Sequence, residues 1–310
     1  DSNQTYGNRF ILLGLTNIPY LQALSVFTLL IMYLITLSGN IILLIVVRIN
    51  KQLQTPMYFF LSNLSIVDIC FSSTILPKLL ITTLSSDRSV SEVECALQMY
   101  FHSALGGTES MVLTIMSYDR LTAICKPLYY NVIMNKRFCI FLATVCWSGG
   151  FSNAIVQVAL TFQLPFCRSH QLDHYFCEEP PFFKLSCQDT WPNEIAMYIA
   201  AFILGVCTFV FTVFSYVQII LTILKIRSTH RMKVFSTCAS HLTAVSLFYG
   251  TIFSTYFRSS FTSAIETNKL VSLIYTTVIP MLNPIIYSIR NKDISNTIKR
   301  KLNSFYRTAQ

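Results

Sequence analysis

Apolar residues run almost unbroken through long stretches of this chain, and charges gather at the joints between them. Seven such runs stand out: Gln22–Val47, Met57–Leu84, Val93–Cys125, Phe138–Phe162, Asn193–Leu224, Val234–Phe257 and Lys269–Ser288. Each reaches roughly 20 residues or more, the length that crosses a bilayer as α-helix at about 1.5 Å per residue. Single charges interrupt the second and third, so their edges are soft and the neighbouring counts are six and eight. The joints are short except for Gln163 to Pro192, and a connection that long over a helix bundle is usually functional. Beyond the last run, Ile294, Ile298, Leu302 and Phe305 fall at helical spacing against Lys299, Arg300 and Lys301. That pattern predicts a short amphipathic helix on a membrane surface. The expected fold class is an all-α membrane protein: one seven-transmembrane helix bundle over residues 1–310, with a short amphipathic C-terminal helix.

Composition points the same way. Of the 310 residues, 53% are hydrophobic and 12% charged, and mean hydropathy is +0.53. A soluble domain carries about twice that charge fraction. The net charge of +9 is a topology signal. With the N-terminus outside, the inner joints and tail collect Arg48, Lys51, Arg120, Lys126, Lys136, Arg137, Lys225, Arg227, Arg231, Lys233 and every basic residue from Arg290 on. Only Arg9, Lys78, Arg88, Arg168, Lys184, Arg258 and Lys269 fall on the other side. That bias is the positive-inside rule. It disfavours nucleic acid as a partner, because the basic residues flank lipid-length runs. Residues 1–21 are then extracellular, 163–192 form the second extracellular loop, and 290–310 are a cytoplasmic tail. Asn3-Gln4-Thr5 is a glycosylation sequon on the outer side, whereas Asn63-Leu64-Ser65 falls inside a span. No cleavable signal peptide is visible, so the first span is expected to serve as the insertion signal.

The ten cysteines divide by side. Cys95, Cys167, Cys177 and Cys187 fall outside, where disulfides persist, and four cysteines allow three connectivities. His170 and His174 lie near Cys167 and Cys177 and could hold zinc or copper, but that reading is disfavoured because a disulfide loop explains the cysteines.

Charges inside the spans mark candidate function. Asp119 and Arg120 sit where the third run meets a basic loop, as a switch or as an anchor whose long stem snorkels to water. Asp68 lies 12 residues from Pro56, about 18 Å along a helix, and Glu109 lies 14 from Cys95, about 21 Å. Both therefore reach mid-membrane, as a shared sodium or proton site or as two protonated carboxyls bridging helices, with Asn40 and Asn283 as polar neighbours. Ser103, Gly106, Gly107 and Ser110 leave room on the outer half of the third run, for a ligand or for close helix packing. His102 stands one step above them, able to donate to a carbonyl, ester or alcohol, or to the long loop. Tyr249, Ile252, Phe253 and Tyr256 recur at helical spacing on the sixth run, as core or as cavity wall. A transporter is disfavoured by the lack of an internal repeat. An enzyme is disfavoured because no nucleophile–base pair or metal cluster appears.

Several blocks resemble those of odorant receptors, a branch of the rhodopsin-like G-protein-coupled receptors. They are Pro56 to Ser65 with Asp68 after it, Met116 to Tyr130, Lys233 to Leu242, Phe248-Tyr249-Gly250-Thr251, and Pro280 to Ser288. They stand in family order and, with Gly39-Asn40, cover all but the N-terminus and tail. The resemblance implies a plasma-membrane receptor, not an enzyme, without a cofactor beyond a sodium ion at Asp68 and Glu109. It implies bridges Cys95–Cys177 and Cys167–Cys187, and a switch of Asp119 and Arg120 with Tyr216 and Tyr287, in which Asp119 neutralises Arg120 at rest. It also implies a small, mostly apolar volatile ligand among His102, Ser103, Gly106, Gly107, Ser110, Tyr249, Ile252, Phe253 and Tyr256. The implied partner is a stimulatory, olfactory-type G protein that raises cyclic AMP. Leu121 and Thr122 depart from the family pattern, which puts coupling strength in question.

Overall fold

The structure, a computed structural model, describes residues 9–16, 18–85, 87–167, 170–225, 228–258, 265–290 and 294. Within these, the side chains of 228–237, 255–258, 265–268, 289 and 290 are not described. Asn3, the side chain of Tyr256 and the expected tail helix, Ile294 excepted, therefore lie outside the described residues.

Among the described residues seven long helices form one bundle. They are α1 (Pro19–Ile49), α2 (Pro56–Leu84), α3 (Glu92–Cys125), α4 (Lys136–Phe162), α5 (Trp191–Lys225), α6 (Ser228–Arg258) and α7. The last joins Ile265–Leu273, a π-helical stretch Ile274–Val278, and Ile279–Arg290. Local chemistry sets the starts. Pro19 and Pro56 open α1 and α2, where a missing N–H costs nothing. A capping box opens α3: Ser91 Oγ accepts from the Glu94 N–H at 3.2 Å, and the Glu94 carboxylate accepts from the Ser91 N–H at 3.0 Å. Asn135 Oδ1 accepts from the Phe138 N–H at 3.0 Å to start α4. The α6 helix begins at Ser228 rather than Val234, because the basic turn before the apolar run is helical too.

Five helices, α1, α2, α4, α5 and α7, contain windows long and apolar enough to cross a membrane. Burial does not explain that hydropathy, since only 17% of the α5 window and 22% of the α1 window is enclosed. Phe27 and Leu34 on α1, and Phe202, Val210 and Phe214 on α5, all point outward. Such apolar faces are stable against lipid. The more polar α3 spans 34 residues and is enclosed by α2, α4, α5 and α6, so its side chains meet protein instead.

Small residues let α3 and α4 approach. A Cβ at Gly150 would collide with the Ala104 carbonyl oxygen and the Thr108 hydroxyl. Asn63, the second sequon match, sits in α2 and accepts from Trp147 Nε1 at 3.0 Å.

One feature lies beyond the all-helical expectation. A small sheet joins β1 (Arg9–Leu12), β2 (Ser89–Ser91) and β3 (Gln171–Leu172) at the end where α3 begins. The central strand β1 pairs antiparallel with β2, Phe10 opposite Val90, and parallel with β3, Ile11 opposite Gln171. Phe10, Leu12, Val90 and Leu172 bury their side chains with Cys95, Cys177 and Phe182 in a compact cap. Disulfides fasten it: Cys95–Cys177 with Cα atoms 5.4 Å apart, and Cys167–Cys187 at 5.9 Å.

Candidate ligand cavity and signalling core

The cap closes over a cavity of about 160 Å³ between α3, α4, α5, α6 and α7. His102, Ser103, Gly106, Gly107 and Ser110 supply the α3 wall, and Ile252 the α6 wall. The glycines make the space: a Cβ on Gly106 would stand 2.5 Å from the Tyr275 hydroxyl, and one on Gly107 would stand 3.1 Å from Leu204 Cδ1. His102 packs against Phe71 and Phe176, with ring centroids 5.2 and 4.9 Å away, and its Nε2 is buried without a partner.

Two other aromatic candidates stand outside this wall. Tyr249 is fully buried below it, its hydroxyl 3.3 Å from both Ser110 Oγ and Thr114 Oγ1. Phe253 packs edge-on against Phe209.

Sequence reading missed much of the remaining wall. Asn153 and Gln157 come from α4, Met197, Ala200, Ala201, Leu204 and Gly205 from α5, and Tyr275 from α7. Leu204 and Gly205 belong to a π-helical stretch, Phe202–Cys207, and Tyr275 to the one in α7. Each stretch turns residues inward that a regular helix would carry elsewhere. The long loop adds Glu178, Glu179 and Pro180, and for these a signal existed, since two adjacent carboxylates follow a cysteine pinned to α3. Their loop also anchors itself through the Tyr175 hydroxyl, 3.1 Å from Thr276 Oγ1, and through the Cys177 N–H donating to Gln98 Oε1 at 3.0 Å.

Burial dominates the electrostatics of the loop. It pushes the Glu178 carboxyl up to about 8, with Glu179 adding repulsion. Glu179 rises to about 7, again by burial, while the Ser103 hydroxyl donating to it at 3.1 Å pulls the other way. His174 Nε2 lies 3.2 Å from Glu178, yet burial and then the Lys269 charge drive the imidazole down to about 3. Both shifts, the ring down and the carboxyl up, favour a neutral contact over an ion pair.

Midway along α3 lies a polar cluster. Asn283 Nδ2 donates to both Asp68 oxygens at 3.1 Å, and Glu109 is an electrostatic neighbour of Asp68. Glu109 Oε1 and Ser65 Oγ are buried without partners. Asn40 is placed differently. Its Nδ2 donates to the Thr36 carbonyl at 3.0 Å and the Pro280 carbonyl at 3.2 Å, tying α1 to α7 instead of joining Asp68.

At the far end of α3 the arrangement departs from a resting Asp119–Arg120 pair. Asp119 is 1% exposed, and its Oδ1 accepts from the Tyr130 hydroxyl at 2.8 Å, supplied by a one-turn helix in the adjoining loop. Among the described residues no ion pair joins Asp119 to Arg120, and Arg120 Nε is buried without a partner. Tyr216 on α5 hydrogen-bonds His241 on α6. The charge of Arg120 reaches Tyr216, His241 and Tyr287 together. His241 stands in a family-like block, but nothing in its spacing marked it as part of this group.

A single helix thus carries a ligand-sized cavity near one end and an arginine with a buried, unpartnered Nε near the other, within a bundle built for lipid, and that is the architecture of a heptahelical membrane receptor. Comparison with known proteins makes the assignment specific. A family model described as olfactory receptor matches residues 29–304. The dog (Canis lupus familiaris) olfactory receptor-like protein OLF1 is 44% identical over 301 residues, covering 97% of each chain. Human (Homo sapiens) olfactory receptor 5I1 is 44% identical over 305 residues, 98% of this chain and 97% of its own. Mouse (Mus musculus) olfactory receptor 5G29 is 43% identical over 303 residues, 97% and 96% of the two chains. The chain belongs to the olfactory receptor family, whose members are G-protein-coupled receptors and not enzymes.

Proposed function

We propose that this receptor sits in the plasma membrane with its N-terminus and disulfide cap outside, and detects a small, mostly apolar volatile molecule in the cavity beneath the cap. Occupancy shifts a two-state bundle toward the form that engages a stimulatory, olfactory-type G protein and raises cyclic AMP. The observation that carries this reading is the cavity on the Gly106–Gly107 face of α3, the same helix that carries Arg120 near its other end. Arg120 is the contact that reaches the G protein. Tyr216 and Tyr287 lie within reach of its charge, with His241 as an additional member, while the neighbouring Asp119 is engaged by Tyr130. Support for that role comes from the Arg120 Nε atom, which is buried without a partner among the described residues.

Asp68 and Glu109, with Asn283, are the proposed seat of a sodium ion or shared proton. Unpartnered Glu109 Oε1 and Ser65 Oγ fit oxygen ligands for a cation. Agonist affinity in Asp68→Asn should then lose its dependence on sodium, and an unchanged dependence removes the ion from this site. The experiment that tests the function is a volatile-library screen on cells expressing the chain, with cyclic AMP as readout. Activation by small apolar volatiles supports it; responses confined to peptides or involatile metabolites contradict it.

A further inference from the structure

The α3 wall of the cavity carries no carboxylate, whereas the loop brings in two. Among the described residues no cation answers them. Lys269 is held by Asp173 at 2.7 Å, and burial together with the Lys269 charge biases His174, the basic side chain beside Glu178, toward its neutral form. Glu179 spends one oxygen on the Ser103 hydroxyl, and its second oxygen has no partner among the described residues. On the same cavity wall the buried Nε2 of His102 also lacks one. The rest of the lining includes small or apolar groups: Met197, Ala200, Ala201, Leu204 and Ile252.

We propose that the cavity selects small aliphatic amines, with the Glu179 carboxyl as the group that recognises the nitrogen. The proposal rests on the cavity being the ligand site. An amine arriving as free base takes the proton of Glu179: the carboxyl O–H bond breaks, an N–H bond forms, and ammonium is left against carboxylate. The net charge of the occupied cavity is unchanged by that transfer. An alkylamine resembles lysine, at about 10.4 in water; the burial that raises Glu179 lowers an amine in the same site, and the attraction between ammonium and carboxylate offsets that cost. An amine arriving protonated meets the ionised fraction of the same carboxyl. Cavity volume sets the size. About 160 Å³ compares with the roughly 150 Å³ engineered cavity that holds benzene, so the ligand has about six to nine non-hydrogen atoms.

The test uses the purified full chain in lipid nanodiscs and follows the ligand-induced rise in Tm, which does not depend on G-protein coupling. The probes are cyclohexylamine, cyclohexanol, cyclohexanone and cyclohexanecarboxylic acid. Cyclohexylamine should raise Tm at a concentration at least tenfold below that needed for any of the other three. Glu179→Gln should raise the amine concentration required at least tenfold, and Glu179→Asp should recover part of the loss. The proposal is overturned if the amine produces no shift, if a neutral or acidic analogue works as well, or if the amine preference survives in Glu179→Gln. A shift by the neutral analogues that Gly106→Leu abolishes would overturn the amine selection while leaving the cavity reading intact. A shift by every probe that Gly106→Leu leaves untouched would overturn both.

Discussion

Gly106 and Arg120 are 14 residues apart on α3, about 21 Å along the helix, and each has one neighbour that fixes its surroundings. For Gly106 it is the Tyr275 hydroxyl, so near that any β-carbon displaces it. At the other end, Tyr130 serves Arg120 indirectly by holding Asp119. Tyr130→Phe keeps the ring and removes the donor, leaving a buried carboxylate short of a hydrogen bond. The expected loss is about 1–3 kcal/mol, read as a lower Tm of the unliganded receptor with altered basal cyclic AMP; a variant identical to the parent in both would show that the contact has no role. The charged residues of this end were legible in the sequence because acids and bases inside an apolar run are conspicuous. Tyr130 was not, since a tyrosine in a loop carries no mark of its partner. Asn40 illustrates the converse: a polar residue in a span was visible, but not that its amide would bridge α1 to α7.

At the scale of elements, helices were legible and strands were not. Runs of apolar residues declare themselves over 20 positions, and the α3 to α5 boundaries fall close to where those runs end. Strands of two to four residues drawn from positions near 10, 90 and 171 show no periodicity, and their pairing depends on the finished bundle. The π-helical stretches in α5 and α7 likewise leave no trace in a hydrophobic pattern, which is why Leu204, Gly205 and Tyr275 were absent from the expected cavity. Close packing of α3 on α4 makes a prediction of its own. Gly150→Ala forces a methyl group against backbone and side-chain oxygens of α3, where overpacking costs about 1–3 kcal/mol. Gly250, with nothing within 4 Å of its β-position, is the control, and Gly250→Ala should leave Tm unchanged or slightly raised. Equal effects at the two glycines would remove the tight interface from the account.

Across the whole molecule, the cap and the bundle divide the labour. The bundle needs lipid; the cap needs its disulfides, because strands this short and a loop this long order only when their ends are fixed. Removing the Cys95–Cys177 bridge with Cys95→Ser releases a closure of 82 residues, which costs on the order of 4 kcal/mol by chain entropy. The expected result is a receptor with weakened ligand response and reduced surface level, measured on intact cells; full response at full surface level would show that the cap does not shape the cavity. The ligand end and the G-protein end are separable by substitution, and the central claim is that they are two ends of one switch. Its most direct test is a side-by-side dose–response of the parent, Gly106→Leu and Arg120→Ala for a ligand found by screening, with cyclic AMP and ligand-induced Tm shift both recorded. Gly106→Leu should shift or abolish both signals, whereas Arg120→Ala should abolish cyclic AMP while the Tm shift persists. An Arg120→Ala receptor that still raises cyclic AMP, or a Gly106→Leu receptor with unaltered curves, would contradict the account.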